Sequence, residues 1–250
     1  MIKLICFLKH NKNLSIEQFH SHWSDVHGKL FAESDAMKQY IARYEQNPRL
    51  TGDYIRDKDA KDFDQQGHDG VTVIWYHSMQ AFQDMVNDPY YIEHIIPDED
   101  YLLDRDSQAW ILVGKPNTIV DKPGARDANK PSEAKTKLLC MLRRNAALSR
   151  EEFHPHWLQH HGGLFQTVEN LNKDILAYDQ NPRLDLDYDI GPERQYDGCT
   201  EQWFESLERF FQSLSEPEQK TMVEPDVAYM LDPAGTHFIM SDLPRVIIGN

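Results

Sequence analysis

The stretch Phe19–Phe31, FHSHWSDVHGKLF, is written a second time at Phe153–Phe165 as FHPHWLQHHGGLF, a constant 134 positions later. Eight of the thirteen positions are identical: the terminal Phe pair, three His, Trp, Gly and Leu. Identity that dense within one chain marks a tandem repeat, so the fold is read as two copies of one unit. Working outward, Tyr44-Glu45-Gln46-Asn47-Pro48-Arg49-Leu50 returns as Tyr178-Asp179-Gln180-Asn181-Pro182-Arg183-Leu184, still at offset 134. Past a shorter loop the offset falls to 128. Asp69-Gly70 then aligns with Asp197-Gly198, Trp75 with Trp203, Phe82 with Phe210 and Tyr101 with Tyr229. Leu103-Asp104 aligns with Leu231-Asp232, and Pro116 with Pro244.

Each copy has a legible order of elements. Ile2–Lys9 (IKLICFLK) is apolar on both alternating faces, which predicts a strand covered on both sides. Ser15-Ile16-Glu17-Gln18 is a capping box, so a helix starts near Ile16, and Ser149-Arg150-Glu151-Glu152 repeats it. At about 100° per residue Phe19, Trp23, His27 and Leu30 share one face, with His20 at its edge and His22 further round. Strands are predicted at Gln39–Gln46, Val71–Tyr76 and Gln108–Val113, and helical pieces at Ser78–Asn87 and Tyr90–Leu103. The order βαββαβ is that of a ferredoxin-like unit, and Thr136–Arg143 opens the second one. The acidic Thr51–Asp69 reads as a solvated insertion. Lys115–Lys135, with its three prolines, reads as an extended linker without a copy. The expected domains are 1–115 and 136–250, joined by a linker at 116–135.

Composition narrows the class of partner. With 26 Lys+Arg against 41 Asp+Glu the net charge is −15, which argues against nucleic acid or an anionic membrane. No run of about 18 apolar residues is present to span a membrane. Lys9 ends the apolar N-terminal stretch too early for a signal peptide. The expectation is a cytoplasmic protein. Cys6 and Cys140 are repeat equivalents within predicted strands, so the thiols are expected to be buried and free.

At these residues the chain resembles the EthD family of the dimeric α+β barrel superfamily. The family's helix carries an aromatic, then Trp, then His, with Leu shortly after. Here these are Phe19, Trp23, His27 and Leu30, and again Phe153, Trp157, His161 and Leu164. Tyr44, Gln46 and Asn47, with Tyr178, Gln180 and Asn181, are similar to the family's second-strand end. The resemblance implies an α+β fold in which two ferredoxin-like βαββαβ repeats form an intramolecular dimeric α+β barrel. One departure is Gly28-Lys29, and Gly162-Gly163 in the second copy, where the family has a small-Pro step. Glycine there is expected to loosen the helix end or admit a ligand to the backbone.

The residues permit a definite chemistry. His27 and His161, held beside Trp and Leu, are candidates for proton transfer, because imidazole titrates near neutral pH; the alternative is a buried His that only fixes the helix. Tyr44 and Tyr178 can donate to a developing oxyanion or phenolate, or simply pack. Arg49 and Arg183 can hold a carboxylate bidentately, or bind loop carbonyls. Trp75 and Trp203 offer flat apolar walls to an aromatic ligand or to the core. His22, Trp23, His156 and Trp157 complete the expected substrate-binding set. Asp69 and Asp197 precede Gly, which marks a turn before it hints at catalysis. His156 and His160 have the i, i+4 spacing of a metal pair, but no acidic third ligand accompanies them, so no metal is expected. Nothing resembles the superfamily's haem-ligand motif, and no nucleotide-binding glycine pattern appears.

The resemblance and the residues together lead to a cofactor-independent lyase (decarboxylation or dehydration) or isomerase. His acid–base catalysis would act on a small aromatic, phenolic or polyketide-like metabolite. The alternative is a non-catalytic small-molecule-binding accessory protein for an oxygenase pathway. Neither partner nucleic acid nor membrane is expected, and association into a homodimer of pseudo-dimers is left open.

Overall fold

The computed structural model describes residues 1–56, 67–125, 136–191 and 194–249. In chain order its strands are β1 (Ile2–Leu8), β2 (Ile41–Pro48), β3 (Gly70–Tyr76), β4 (Ala109–Val113) and β5 (Asn117–Asp121). The second half adds β6 (Thr136–Leu142), β7 (Ile175–Pro182), β8 (Gly198–Phe204), β9 (His237–Ser241) and β10 (Arg245–Ile248). They make two five-stranded antiparallel sheets, ordered β10-β2-β3-β1-β4 and β5-β7-β8-β6-β9. Leaving aside β10 in the first sheet and β5 in the second, the four remaining strands and the helices of each unit give the ferredoxin-like βαββαβ order.

The fifth strand of each sheet corrects the reading of the linker. Asn117–Asp121, expected as an extended connector without a copy, pairs with β7, setting Asn117 opposite Gln180 and Thr118 opposite Asp179. Its counterpart β10 pairs with β2, with Arg245 opposite Gln46 and Val246 opposite Glu45. Thr118-Ile119-Val120 and Val246-Ile247-Ile248 stand at offset 128, and both are β-branched runs suited to a pleated surface. They satisfy strand edges that would otherwise present bare N–H and C=O groups. The two compact units are therefore discontinuous. The first takes residues 1–49, 67–115 and 244–249; the second takes 50–56, 116–125, 136–191 and 194–243. Part of the expected insertion is helical, at Thr51–Arg56. Its acidic stretch at 57–66 and the linker's 126–135 lie outside the described residues.

In the first unit the capping box forms as the sequence predicts. Gln18 N–H donates to Ser15 Oγ at 3.1 Å, and Ser15 N–H donates to Gln18 Oε1 at 2.8 Å. The helix runs from Ile16–His22 through a π-helical segment, Trp23–His27, into Gly28–Ala32. Gly28 sits inside it at φ −57°, so glycine does not loosen the helix end as expected. A Cβ at Gly28 would come within 3.1 Å of Ile247 Cδ1, and one at Gly162 within 2.7 Å of Ile119 Cδ1. Glycine lets the fifth strand's isoleucine rest on the helix. In each unit that is the same device.

Trp23 is fully buried and stacks on Phe19 with ring centroids 5.4 Å apart. It lies so close to the start of β3 that a Cβ on Gly70 would meet its ring at 2.6 Å. Gly198 stands in the same relation to Trp157, at 2.5 Å. Gly70→Ala is expected to lower stability by roughly 1–3 kcal/mol through overpacking. This is read as a lower urea midpoint at unchanged m-value; an unchanged midpoint would mean that Trp23 gives way freely.

Candidate active site

The π-helical segment decides the geometry of the histidines. In it the Gly28 N–H reaches the Trp23 carbonyl, and that carbonyl also accepts from Gln46 Nε2 at 2.7 Å. At a uniform 100° per residue, His22 and His27 would point roughly 140° apart. The i→i+5 turn widens the helix and brings them into line. Both then reach one carboxylate: His22 Nε2–H donates to Asp98 Oδ1 at 2.6 Å and His27 Nδ1–H to Asp98 Oδ2 at 2.7 Å. His22 therefore does not stand further round from His27, as a regular helix predicts, but shares its partner.

Asp98 comes from a second helix with a π-helical segment of its own, Tyr91–Ile95, followed by Ile96–Leu102. Pro97 has no N–H to offer the ladder, so a local shift in hydrogen bonding is tolerated there. Burial pushes the Asp98 carboxyl up, but hydrogen bonds from His27 and His22, and their charge, outweigh it and hold it below its ordinary 3.8. The folded state thus takes up this proton later than the unfolded chain as pH falls. The contribution is present above the unfolded value and is lost as pH drops through the folded one. The gap in urea midpoint between the wild type and Asp98→Asn is therefore expected to be widest near neutral pH and to narrow as pH falls through the ordinary carboxylate range and below it. A gap that stays constant over that range would contradict the assignment.

His27 also lines a cavity of about 90 Å³ inside the first unit, with Trp23, Phe31, Tyr44, Tyr76 and Tyr91 among its walls. With Nδ1–H committed to Asp98, the neutral ring carries its lone pair on Nε2, which makes no hydrogen bond among the described residues. The Tyr44 hydroxyl accepts from Gln46 Nε2 at 3.2 Å, and burial, opposed by that bond and by Thr72, pushes its pKa up to about 12. The phenol stays protonated at neutral pH. Tyr76 and Gln108 are also in the cavity wall, and their Oη and Nε2 atoms are buried without a hydrogen-bond partner. The Cys6 thiol, raised by burial and then by Glu99, donates to Gln108 Oε1 at 3.6 Å and fixes the amide. Glu99, also in the wall, accepts from Tyr91 Oη at 3.3 Å and pairs with Arg105.

The second unit repeats the histidine arrangement. His156 Nε2–H donates to Asp226 Oδ1 at 2.5 Å and His161 Nδ1–H to Asp226 Oδ2 at 2.7 Å. Asp226 also lies 3.6 Å from His160 Nε2. This corrects the view that the His156–His160 pair lacks an acidic companion: the carboxylate comes from the other helix, remote in sequence. The cavity wall, however, is not copied. At offset 128 Tyr76, Tyr91, Glu99 and Gln108 become Phe204, Gln219, Val227 and Thr236. Phe204 and Val223 belong to a core cluster against which Val227 packs. Tyr178 keeps its counterpart's bond, accepting from Gln180 Nε2 at 3.3 Å.

The remaining candidates lie elsewhere. Thr72, Ile74 and Tyr76 of β3 line the cavity, so Trp75 faces the other side of the sheet. Lys3 Nζ is 5.3 Å from its ring centroid, and Lys137 Nζ is 4.8 Å from that of Trp203. Arg183 is buried and donates to Asp187 and to the carbonyls of Arg194, Tyr196 and Gly191. Buried Arg49 donates to the His68 carbonyl at 3.2 Å. Both arginines serve their own loops. Asp69 is likewise a junction, accepting from the His10 ring at 2.6 Å and, through its carbonyl, from His20 Nε2 at 2.8 Å. A larger open cleft of about 520 Å³ in the second unit runs among Arg143, Arg144 and Arg150. Asp232 pairs with Arg143 and Asp197 with Arg144, and the cleft holds none of the paired histidines.

The fold is similar to solved structures over nearly all its length. One is described as an anthrone oxidase-like protein: 8% identity, 98% of this chain and 92% of that one covered, TM-score 0.63. A second, from Fusobacterium nucleatum subsp. nucleatum, is provisionally assigned as a monooxygenase, at 7% identity, 99% and 92% coverage and TM-score 0.54. A third, from Lactobacillus acidophilus NCFM and provisionally assigned likewise, has 11% identity, 99% and 94% coverage and TM-score 0.50. At such identities the likeness speaks for the fold alone. No curated protein sequence matches the chain. Among the described residues no helix is long and apolar enough to cross a membrane. The family model for the EthD domain matches residues 11–106 and again 145–234, well over half the chain and in step with its internal repeat. This protein belongs to the EthD family, with two copies of the domain in a single polypeptide.

Proposed function

We propose that the protein is a cofactor-independent lyase or isomerase whose working site is the cavity of the first unit. The observation that carries the reading is His27, tied to Asp98 through Nδ1 and exposed to the cavity wall, with Nε2 left as the base. A carboxylate on one imidazole nitrogen fixes the tautomer, orients the ring and stabilises the imidazolium that forms when the other takes a proton. The Tyr44 hydroxyl, protonated at neutral pH, is suited to donate to an enolate or phenolate oxygen. The unpartnered Tyr76 Oη and Gln108 Nε2 favour a ligand that carries oxygen.

Size favours a small substrate. A cavity of about 150 Å³ accepts benzene; this one, near 90 Å³, is smaller and suits the reacting end of a molecule rather than a whole ring. Decarboxylation or dehydration of a phenolic or β-keto compound fits a site with one base and one phenol donor. The test is a thermal-shift screen of the whole protein with single-ring phenolic acids and short β-keto acids, followed by turnover assays on the compounds that stabilise it. Turnover that depends on His27 supports the enzyme. Stabilisation without turnover would favour the accessory role in an oxygenase pathway, and no stabilising compound would remove the first-unit cavity as the site.

A further inference from the structure

In the second unit alone, the helix carries His160 where the first copy has Val26. One helical turn separates His156 from His160, and their ring centroids are 4.7 Å apart. A ring nitrogen of His156, a ring nitrogen of His160 and a carboxylate oxygen of Asp226 all lie within 4.8 Å of one another, and both Nε2 atoms approach Asp226 Oδ1, at 2.5 Å and 3.6 Å. We infer that His156, His160 and Asp226 form a binding site for a borderline divalent cation such as Zn²⁺.

The donor set decides the class of ion. Two imidazole nitrogens and one carboxylate oxygen suit Zn²⁺, Ni²⁺ or Cu²⁺, whereas Mg²⁺ and Ca²⁺ require oxygen donors. Three protein ligands leave a fourth tetrahedral position for water. On binding, His156 gives up its Nε2–H bond to Asp226 Oδ1 and carries its ring proton on Nδ1 instead, so the neutral ring supplies its lone pair at Nε2. The ion then sits between atoms now 2.5 Å and 3.6 Å apart, which a modest side-chain rotation opens to accommodate it. The other oxygen of Asp226 remains held by His161 Nδ1–H at 2.7 Å, the outer-shell hydrogen bond that orients a ligating carboxylate. The His160 side chain is 60% exposed, which gives the ion a path in.

The first copy supplies the control. It has His22 and Asp98 in the same relation but only the exposed Val26 at the third position. Untagged protein would be titrated with Zn²⁺ in equilibrium dialysis near neutral pH, with Mg²⁺ as a competitor. The wild type is expected to bind one equivalent that excess Mg²⁺ does not displace. His160→Val is expected to weaken that binding by about 10–100-fold or more, the scale set by perturbing a metal site's ligand environment. Val26→His is expected to add a second equivalent. Both substitutions fall on exposed positions, so circular dichroism and the midpoint of thermal unfolding should match the wild type and separate site loss from misfolding. A wild type that takes up no Zn²⁺ at about 100-fold the micromolar range, or a His160→Val protein that binds as tightly as the wild type, would overturn the site.

Discussion

His27→Asn is expected to abolish most turnover, lowering kcat by about 10²–10⁴-fold, the range that one positioned acid–base group contributes. His161→Asn should leave turnover within a few-fold of the wild type. The two histidines have the same immediate partners, a carboxylate at 2.7 Å and a second histidine on that carboxylate's other oxygen. What separates them is the wall each ring looks onto. In the first unit it includes Tyr76, Tyr91, Glu99 and Gln108; the corresponding second-unit residues are Phe204, Gln219, Val227 and Thr236. A purely structural role for the His–Asp–His contact predicts equal effects of the two variants, both on stability. A catalytic role in one unit predicts unequal effects on kcat with similar losses of stability. Asp98→Asn adds a second readout, because it should lower kcat and alter its pH profile while leaving the cavity wall in place. Equal kcat losses for His27→Asn and His161→Asn would sink the assignment to the first unit. An unimpaired His27→Asn would sink the mechanism.

Much of the fold is legible in the sequence because the repeat makes each copy a check on the other. The capping boxes at Ser15 and Ser149, the strand at Ile2 and the glycine that opens each third strand all recur at fixed offsets. Local pattern fails at two places, each for a physical reason. Asn117–Asp121 looks like a linker because proline and charge surround it; that it is a strand depends on the open edge of β7, a partner no local window contains. His22 looks misplaced because a uniform 3.6-residue period cannot anticipate a π-helical segment, which is what aligns it with His27. The carboxylate at the centre of the site was nevertheless within reach. Pro97-Asp98 returns as Pro225-Asp226 at offset 128, the same offset that relates the flanking tyrosines and leucines. By contrast, the unpartnered Tyr76 and Gln108 atoms have no sequence mark, since whether a buried polar atom lacks a partner is a property of packing.

Lys137→Met is expected to cost roughly 3–5 kcal/mol, the range for breaking a buried ion pair by removing one of its members. Lys137 Nζ lies 2.7 Å from Glu201 Oε1, with the two side chains 1% and 2% exposed. The ammonium also stands over the Trp203 ring, a favourable placement for a cation. Removing it takes a cation from beside the buried Glu201 carboxylate, to which Asn181 Nδ2 still donates at 3.0 Å. Lost packing of the lysine stem is a smaller matter, because methionine fills similar space. The other copy shows how the cost should divide: it keeps Lys3 but has Val73 where Glu201 stands, so an apolar residue suits this position of the strand. Adding Glu201→Val to Lys137→Met should therefore return part of the lost stability, a favourable coupling between neighbours in a double-mutant cycle. Urea midpoints of the four proteins measure it. If the double variant is less stable than Lys137→Met, the lost Lys137–Glu201 pairing is not the source of the loss, and the cost lies in the packing around Trp203.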